Sequence, residues 1–358
     1  MNRFLVVDVG AGTMDVLCYD MRSEEHFKAV VKSPVRTLAE AAENLPGNLL
    51  ITGTEMGGGA LSGVLERRSK EAEVIMSASA AATIHHNPEK VRSLGIKIVD
   101  DIDTADLQQH QAYHMLRTGD LELDRLEEIV KGLGISLSFD VVGLCAQDHG
   151  RAPEGVSHLD YRHKIFKTRL DENPFPHGLL YRDDEIPANL SRLKAMSESA
   201  KMLSADEIYV MDSGMAAILG ASMDWRVREK KRTMVLDVAT SHTVAAALEG
   251  GEMAGFFEYH TKDITLERLE TLLEALAEGR LNHEEILKEG GHGAYIRKAL
   301  GFQIRESIVA TGPKRRLVEQ SRLPFIFGSP LGDNMMTGAV GVLEAIRRRK
   351  ELKTISFL

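Results

Sequence analysis

The chain has 358 residues, of which 43% are hydrophobic and 27% are charged, and it carries a net charge of −9 at neutral pH. These values are typical of a globular protein with room for two domains, and the acidic balance argues against nucleic acid as the main partner. Two distant cysteines, no apolar run of about 18 residues and a strand at the very N-terminus predict a cytoplasmic protein that contacts no membrane.

The first segment of the chain predicts a β-hairpin whose turn can bind phosphate. An apolar run ends at Asp8, the chain turns at Gly10 and Gly12, and Thr13 precedes a second apolar run. Glycine permits positive φ and a close approach of the backbone to a ligand, and successive N–H groups in such a turn form an anion-binding nest. Asp8, at the end of its strand, can hold a magnesium ion directly or through water. Asp15 fits either a turn-stabilising role or the same phosphate site.

A near copy of this unit occupies residues 232–248. Its apolar run ends at Asp237, and its turn contains Thr240 and Ser241, with His242 and a second apolar run behind them. The second turn lacks the glycines of the first, but each copy continues into a third predicted strand. Two such units in one chain predict a duplicated fold that holds a phosphate between its halves.

The rest of the chain predicts alternating strands and helices. Helices are predicted at residues 37–43, 61–70, 121–133, 190–203, 215–221, 266–278 and 338–349, and strands at 48–52, 74–76, 96–99, 139–144, 207–211, 308–310 and 323–327. A three-glycine turn at residues 57–59 fits either an anion site or a tight turn, and without a following Gly-Lys-Ser it is not a Walker loop. Residues 151–187 contain four prolines and little periodicity, which predicts an irregular insertion or lid near the cleft.

Two groups of histidines are interpreted as structural or surface features. The spacing of His158, Asp160 and His163 is not a zinc signature, and no cysteine lies among them. His110 and His114 are four residues apart, which would place them on one face of a helix, and we interpret them as a solvated surface pair.

Several segments, with the two hairpins, resemble the sugar-kinase branch of the actin, sugar-kinase and Hsp70 superfamily, in which two related domains clasp ATP. Gln147, Asp148 and His149 follow an apolar strand and resemble the Gly-Gln-x-His-Gly element of that branch, which faces the substrate; a hydrogen-bonded loop is the alternative. Asp212 precedes Ser-Gly and a helix, and it resembles the aspartate of the Asp-x-x-Ala-Ala element, which is the catalytic base in those kinases. A helix N-cap is the alternative for Asp212.

The resemblance implies an α/β fold with two ribonuclease-H-like, actin-like ATPase lobes around a nucleotide cleft. One lobe spans residues 1–225 with the insertion at 151–187, the other spans 230–358, and helix 338–349 lies between them. ATP and Mg²⁺ are the implied cofactors. The implied cofactor-binding residues are Asp8, Gly10, Gly12, Thr13, Asp15, Asp237, Thr240, Ser241 and, in a segment similar to the adenosine-binding turn, Gly312, with Asp8 and Asp237 as metal ligands. Pro313 departs from that turn, where a second glycine is usual.

Three functions stay open at this point. The first is a phosphotransferase that uses Asp212 as a base and holds a small-molecule hydroxyl acceptor against residues 147–149. The second is an ATP-hydrolysing switch or activator that acts on a protein partner, and the third is a scaffold that binds no nucleotide. The closest resemblance is to an archaeal and bacterial family, DUF1786-like, sometimes labelled pyruvate-formate-lyase-activating-like. A radical activase needs three closely spaced cysteines for its iron–sulfur cluster, and this chain has two cysteines far apart.

Overall fold

The computed structural model describes residues 2–108 and 112–357. The strands are β1 (Arg3–Val9), β2 (Thr13–Asp20), β3 (Glu25–Lys32), β4 (Asn48–Gly53), β5 (Val74–Ser77), β6 (Lys97–Val99), β7 (Tyr113–Thr118), β8 (Phe139–Ala146), β9 (Leu180–Arg182), β10 (Ala205–Asp212), β11 (Arg232–Val238), β12 (His242–Glu249), β13 (Glu252–His260), β14 (Gly293–Ile296), β15 (Ser307–Thr311) and β16 (Phe325–Phe327). The α-helices are α1 (Pro34–Asn44), α2 (Gly59–Arg68), α3 (Ala78–Ala81), α4 (Pro88–Ser93), α5 (Thr104–Gln108), α6 (Leu123–Gly132), α7 (His158–Glu172), α8 (Ser191–Ala200), α9 (Ser213–Ala221), α10 (Leu266–Ala277), α11 (His283–Lys288) and α12 (Thr337–Arg349).

Two six-stranded sheets share a topology of five strands, and the sixth strand lies at opposite edges, as β9 beside β10 in the first sheet and as β14 beside β13 in the second. The first has the order β3-β2-β1-β8-β10-β9 and the second has the order β14-β13-β12-β11-β15-β16. In each, an antiparallel meander of three strands is followed by two strands parallel to the first. This is the arrangement of ribonuclease-H-like lobes, so the fold is the two-lobed α/β architecture that the duplicated hairpins predict.

Both sheets are buried on both faces, which explains their nearly continuous apolar runs. Along β1, Phe4 and Val6 belong to one core while Leu5 and Val7 belong to another, because alternate side chains point to opposite faces of a strand. The core on the inner face of the first sheet continues into the second lobe, where it includes Val235. The two lobes are therefore joined by a shared apolar core.

Helices α9 and α12 cross between the lobes. Helix α9 follows β10 of the first sheet but packs against β11 and β12, whereas α12 follows the second lobe and packs against β8 and β1. Their backbones lie very close: a Cβ on Gly220 would stand 1.8 Å from the carbonyl oxygen of Thr337, and one on Gly341 would stand 1.8 Å from that of Ala216. Only glycine fits at these two positions, so these two residues permit the close contact between α9 and α12.

A third sheet, of four parallel strands in the order β6-β5-β4-β7, lies between β3 and β8 in the chain. Helices α1 and α2 pack their buried residues on it in a separate apolar core. The sequence predicts three of its strands but not that they form a sheet of their own. This small sheet is important for the site, because the segments that follow β4 and β5 line the central cavity.

Two expectations for secondary structure in residues 1–225 are wrong. Residues 151–187 are not irregular: α7 is a helix of 15 residues, capped by the Ser157 side chain. Its buried face consists of Arg162, Phe166 and Leu170, each four residues from the next. Because Arg162 is charged, this face does not show the apolar periodicity that predicts a helix. His114 lies in β7 and not in a helix, and His110 is outside the described residues. Within the described ranges, no helix is long and apolar enough to cross a bilayer.

Candidate functional site

A cavity of about 620 Å³ lies between the lobes. This volume is in the range of small-molecule sites, roughly 300–1,000 Å³. Twelve of the thirteen residues singled out from the sequence line it: Asp8, Gly10, Gly12, Thr13, Asp15, Gln147, Asp148, His149, Asp237, Thr240, Ser241 and Gly312. The thirteenth, Asp212, does not line it, although the next two residues do.

The two hairpin turns meet across this cavity. A Cβ on Gly12 would stand 2.7 Å from the hydroxyl oxygen of Thr240 in the opposite lobe, whereas one on Gly10 would stand 3.4 Å from the Thr13 carbonyl oxygen. Neither glycine is at positive φ, so the turn does not use the conformational freedom that glycine permits. Gly12 is needed instead because the two lobes approach each other there.

Three carboxyl groups face the cavity from the two hairpins, of which Asp15 and Asp237 are buried and Asp8 is half-buried. Burial raises the pKa of Asp8 to about 7 and that of Asp15 to about 8, and neighbouring carboxylates add to both shifts. Burial also raises the pKa of Asp237 to about 6, although the Thr311 hydroxyl donates a hydrogen bond of 2.8 Å to it. One Asp15 oxygen is buried with no hydrogen-bond partner among the described residues. Clustered carboxylates with a spare oxygen are suited to a hard divalent cation such as Mg²⁺.

Two glycines leave room for the paired aspartates. A Cβ on Gly338, in the first turn of α12, would stand 1.9 Å from the Asp8 Oδ2 atom. A Cβ on Gly312 would stand 2.9 Å from the Asp237 Oδ1 atom, and Gly312 has a φ of +89°. Gly312 thus lies beside the carboxylate pair, and its contact with adenosine stays a prediction.

Residues 147–149 serve different purposes. The Asp148 carboxylate accepts backbone hydrogen bonds from Gly150, at 2.8 Å, and from Leu193, at 3.0 Å, so it fastens its loop. The Gln147 amide donates to Glu258 in the second lobe. His149 instead lies near the rings of two other histidines, described below. The structure therefore shows the hydrogen-bonded loop alternative for Asp148. Substrate contact by residues 147–149 stays a prediction.

Asp212 is the N-cap of α9 and is held by a buried arginine. Its Oδ1 atom accepts the backbone N–H of Gly214 at 2.9 Å, and both its oxygens accept from Arg162 Nη2, at 3.0 and 3.1 Å. Arg162, on α7, also pairs with Glu258 on β13, and all three side chains are about 5% exposed. The structure therefore shows the N-cap alternative for Asp212. To act as a general base, Asp212 would first have to release Arg162. The catalytic-base role of Asp212 stays a prediction.

On the side of the cavity that the third sheet provides, sequence reasoning identified only the three-glycine turn at residues 57–59 and missed the pair of Glu55 and His86. Glu55 follows β4, and its Oε1 atom lies 2.8 Å from His86 Nε2. The hydrogen bond that Glu55 accepts from His86 is the main cause of the raised pKa of His86, and both residues line the cavity. A ligand crevice outside the carboxyl ends of parallel strands is the rule in α/β proteins, so recognising β4 and β5 as parallel neighbours could have located this pair.

The duplicated sheets, the crossing helices and the interlobe cavity define a two-lobed protein of the actin-like ATPase class. The chain belongs to the family described as "Putative pyruvate format-lyase activating enzyme (DUF1786)", which matches residues 56–317. The described cysteines, Cys18 and Cys145, are both buried and free, and the chain has no third cysteine to ligate the cluster of a radical activase. A comparison with curated protein sequences gives no match.

Three solved structures illustrate the overall likeness. A protein with actin-like ATPase fold and unknown function from Bacteroides thetaiotaomicron VPI-5482 is 9% identical, with 96% of each chain covered and a TM-score of 0.39. The activator of the 2-hydroxyisocaproyl-CoA dehydratase from Clostridium difficile, with bound ADPNP, is 10% identical, with 99% of each chain covered and a TM-score of 0.36. MreB 5 of Spiroplasma citri, bound to AMPPNP, is 11% identical, with 98% of each chain covered and a TM-score of 0.38.

Proposed function

We propose that this protein binds Mg-ATP in the interlobe cavity and transfers the γ-phosphoryl group to a hydroxyl group of a small-molecule acceptor. The observation that carries the proposal is the meeting of two carboxylate-tipped hairpins, one from each lobe, around one cavity. Asp8 and Asp237 would hold the magnesium ion, which neutralises charge on the β- and γ-phosphates. The unpartnered Asp15 oxygen supports a cation at this position.

The hairpin turns would hold the phosphates. The turn residues border the cavity, and the hydroxyls of Thr13, Thr240 and Ser241 would supply hydrogen-bond donors. The turn N–H groups would add further donors, except those of Gly10 and Ala239, which already donate to backbone carbonyls within their hairpins. Phosphoryl transfer depends mainly on positioning and on electrostatic stabilisation, and both depend on closure of the lobes around the reacting groups. The contact between Gly12 and Thr240 means that closure and phosphate binding involve the same residues.

The acceptor would lie toward the third sheet, where the Glu55–His86 pair is the best-placed acid–base group. A carboxylate that accepts from one ring nitrogen of a histidine leaves the other nitrogen free to take a proton from a hydroxyl. His86 lines the cavity and Asp212 does not, so we assign the proton-accepting role to His86. Asp212 then acts as an N-cap and as an anchor for Arg162.

The decisive experiment measures Mg-ATP affinity by calorimetry and then ADP release across a panel of hydroxyl compounds. We expect wild type to bind one Mg-ATP and Asp8→Asn to lose most of that affinity. Gly10→Ala is the matched control for Gly12→Ala, because only the second substitution forces a methyl group against Thr240. Absence of Mg-ATP binding in wild type would refute the proposal and leave the scaffold interpretation.

An ATP-hydrolysing switch is the second candidate, and one observation favours it. Helix α7 reaches from the first lobe to the second: beside the pair of Arg162 with Glu258, Asp160 lies 3.1 Å from His283 and Asp171 accepts a 2.8 Å hydrogen bond from Tyr295. A change in lobe closure must therefore alter the surface around α7, where a protein partner could detect it. ADP release that depends on an acceptor supports the transferase, whereas slow hydrolysis that responds only to a protein partner supports the switch.

A further inference from the structure

Four histidines gather at one end of the cavity, beside the second hairpin turn. His149 follows β8 in the first lobe, while His242 begins β12 and His292 precedes β14 in the second lobe. One ligand nitrogen from each of these three lies within 4.8 Å of the others. The fourth, His260, is paired directly opposite His242 and packs edge-on against His292. The chain thus brings three imidazoles together from three distant segments.

Two ring nitrogens of this group lack a hydrogen-bond partner among the residues that the structure describes. His242 Nε2 and His292 Nδ1 are buried and accept or donate no hydrogen bond within the described ranges. A buried imidazole nitrogen without a partner has lost its bond to water, which costs free energy unless a ligand replaces it. Two such nitrogens in one cluster therefore indicate a missing ligand that binds to both.

The surroundings favour a cation rather than an anion. A neutral imidazole offers one nitrogen lone pair, which a metal cation accepts and an anion does not. The adjacent Arg162 guanidinium faces two carboxylates, Asp212 and Glu258, so this group carries a net negative charge. Glu258 lies 3.8 Å from His292 Nδ1, so its negative charge favours a cation beside this nitrogen.

We propose that His149, His242 and His292 bind a divalent first-row transition metal ion, with zinc as the best match. Three neutral imidazoles with a further position open to the cavity are the ligand set of a zinc centre that binds water or an oxygen donor. Coordination at about 2.0–2.1 Å requires the rings to approach each other by about an ångström from their present positions. Because the ligands come from both lobes, the ion fastens the lobes together. This site is separate from the carboxylate cluster and does not depend on ATP.

The test uses the full chain without a histidine tag, stripped of metal by a chelator and free of nucleotide. Zinc is titrated in competition with a chromophoric chelator, and we expect one tightly bound equivalent. His242→Gln and His292→Gln should each weaken binding by more than about 100-fold, because even outer-shell changes cost 10–100-fold. His85→Gln, which changes a cavity histidine outside the cluster, and Asp15→Asn, in the carboxylate cluster, should keep the wild-type zinc affinity.

Equal zinc affinity in wild type and His242→Gln would overturn the proposal, as would a loss in Asp15→Asn alone. X-ray absorption spectroscopy of the zinc-loaded wild type provides a readout that needs no variant. We expect three imidazole ligands on the metal, and fewer than three would overturn the assignment. Because neither measurement involves ATP, failure here leaves the nucleotide proposal intact, and failure of Mg-ATP binding leaves this one intact.

Discussion

Replacing Arg162 by methionine tests the network that joins the two lobes. The guanidinium is 5% exposed and is the cation shared by Asp212 and Glu258, so its removal leaves two buried carboxylates without a partner. Breaking a buried ion pair by removing one member costs about 3–5 kcal/mol. We expect Arg162→Met to lose about this much unfolding free energy at pH 8 in urea titrations followed by circular dichroism. Arg322→Met, whose arginine is 86% exposed in its pair with Glu270, should lose less than about 1 kcal/mol.

The pH dependence and a compensating variant sharpen this test. Burial by itself would raise the pKa of Glu258, but Arg162 together with the neighbouring His242 and His292 lowers it to about 2. Without the arginine, burial raises the pKa of both carboxyls above their unfolded values, so the loss is largest at high pH and shrinks as the pH falls and they take up protons. Arg162→Met combined with Asp212→Asn and Glu258→Gln should regain most of the stability, because buried ion groups can be replaced by neutral ones at little cost. A loss under 1 kcal/mol in the single variant at pH 8 would refute the reasoning.

Three further outcomes can be checked. Gly12→Ala should weaken Mg-ATP binding by about 10–100-fold in calorimetry, which corresponds to about 1–3 kcal/mol of overpacking against Thr240. The control variant Gly10→Ala should keep its Mg-ATP affinity within about threefold of wild type. Equal effects of the two substitutions would contradict the close contact of the turns. His86→Gln should lower kcat with the identified acceptor by about 10²–10⁴-fold without a matching change in Mg-ATP affinity, whereas a kcat near that of wild type would exclude His86 as the base. Burial and the stacked His283 ring lower the pKa of His163 to about 4, so the stability it provides is complete above about pH 6.5 and is lost as the pH falls toward 4. Between pH 7.5 and pH 4.5, the free energy of unfolding of His163→Gln in urea should therefore fall by about 1–2 kcal/mol less than that of wild type, after a discount for partial exposure. An identical fall in both proteins would show that the His163 ring is not responsible.

Local signals in the sequence were sufficient for the two hairpins. The apolar run before Asp8 and the one before Asp237 each indicate a strand that ends at a carboxylate, and the turn residues behind them follow from short-range rules. The repetition of this unit predicted two lobes and one shared cavity. These features depend on neighbours in the chain, so periodicity and turn chemistry determined them without knowledge of the tertiary structure.

Contacts between distant segments were decided only by the tertiary structure. The partners of Arg162 are 50 and 96 residues away in the chain, and a charged residue within a helix stripe gives no signal of which carboxylates it will meet. In the same way, His149 and His292 come together only because the end of β8 and the start of β14 meet at the same cavity from opposite lobes. Sequence by itself thus determined the carboxylate-tipped hairpins, because strand and turn formation is local. The arginine network and the histidine cluster required the lobes to pack, because burial and charge act through space and not along the chain.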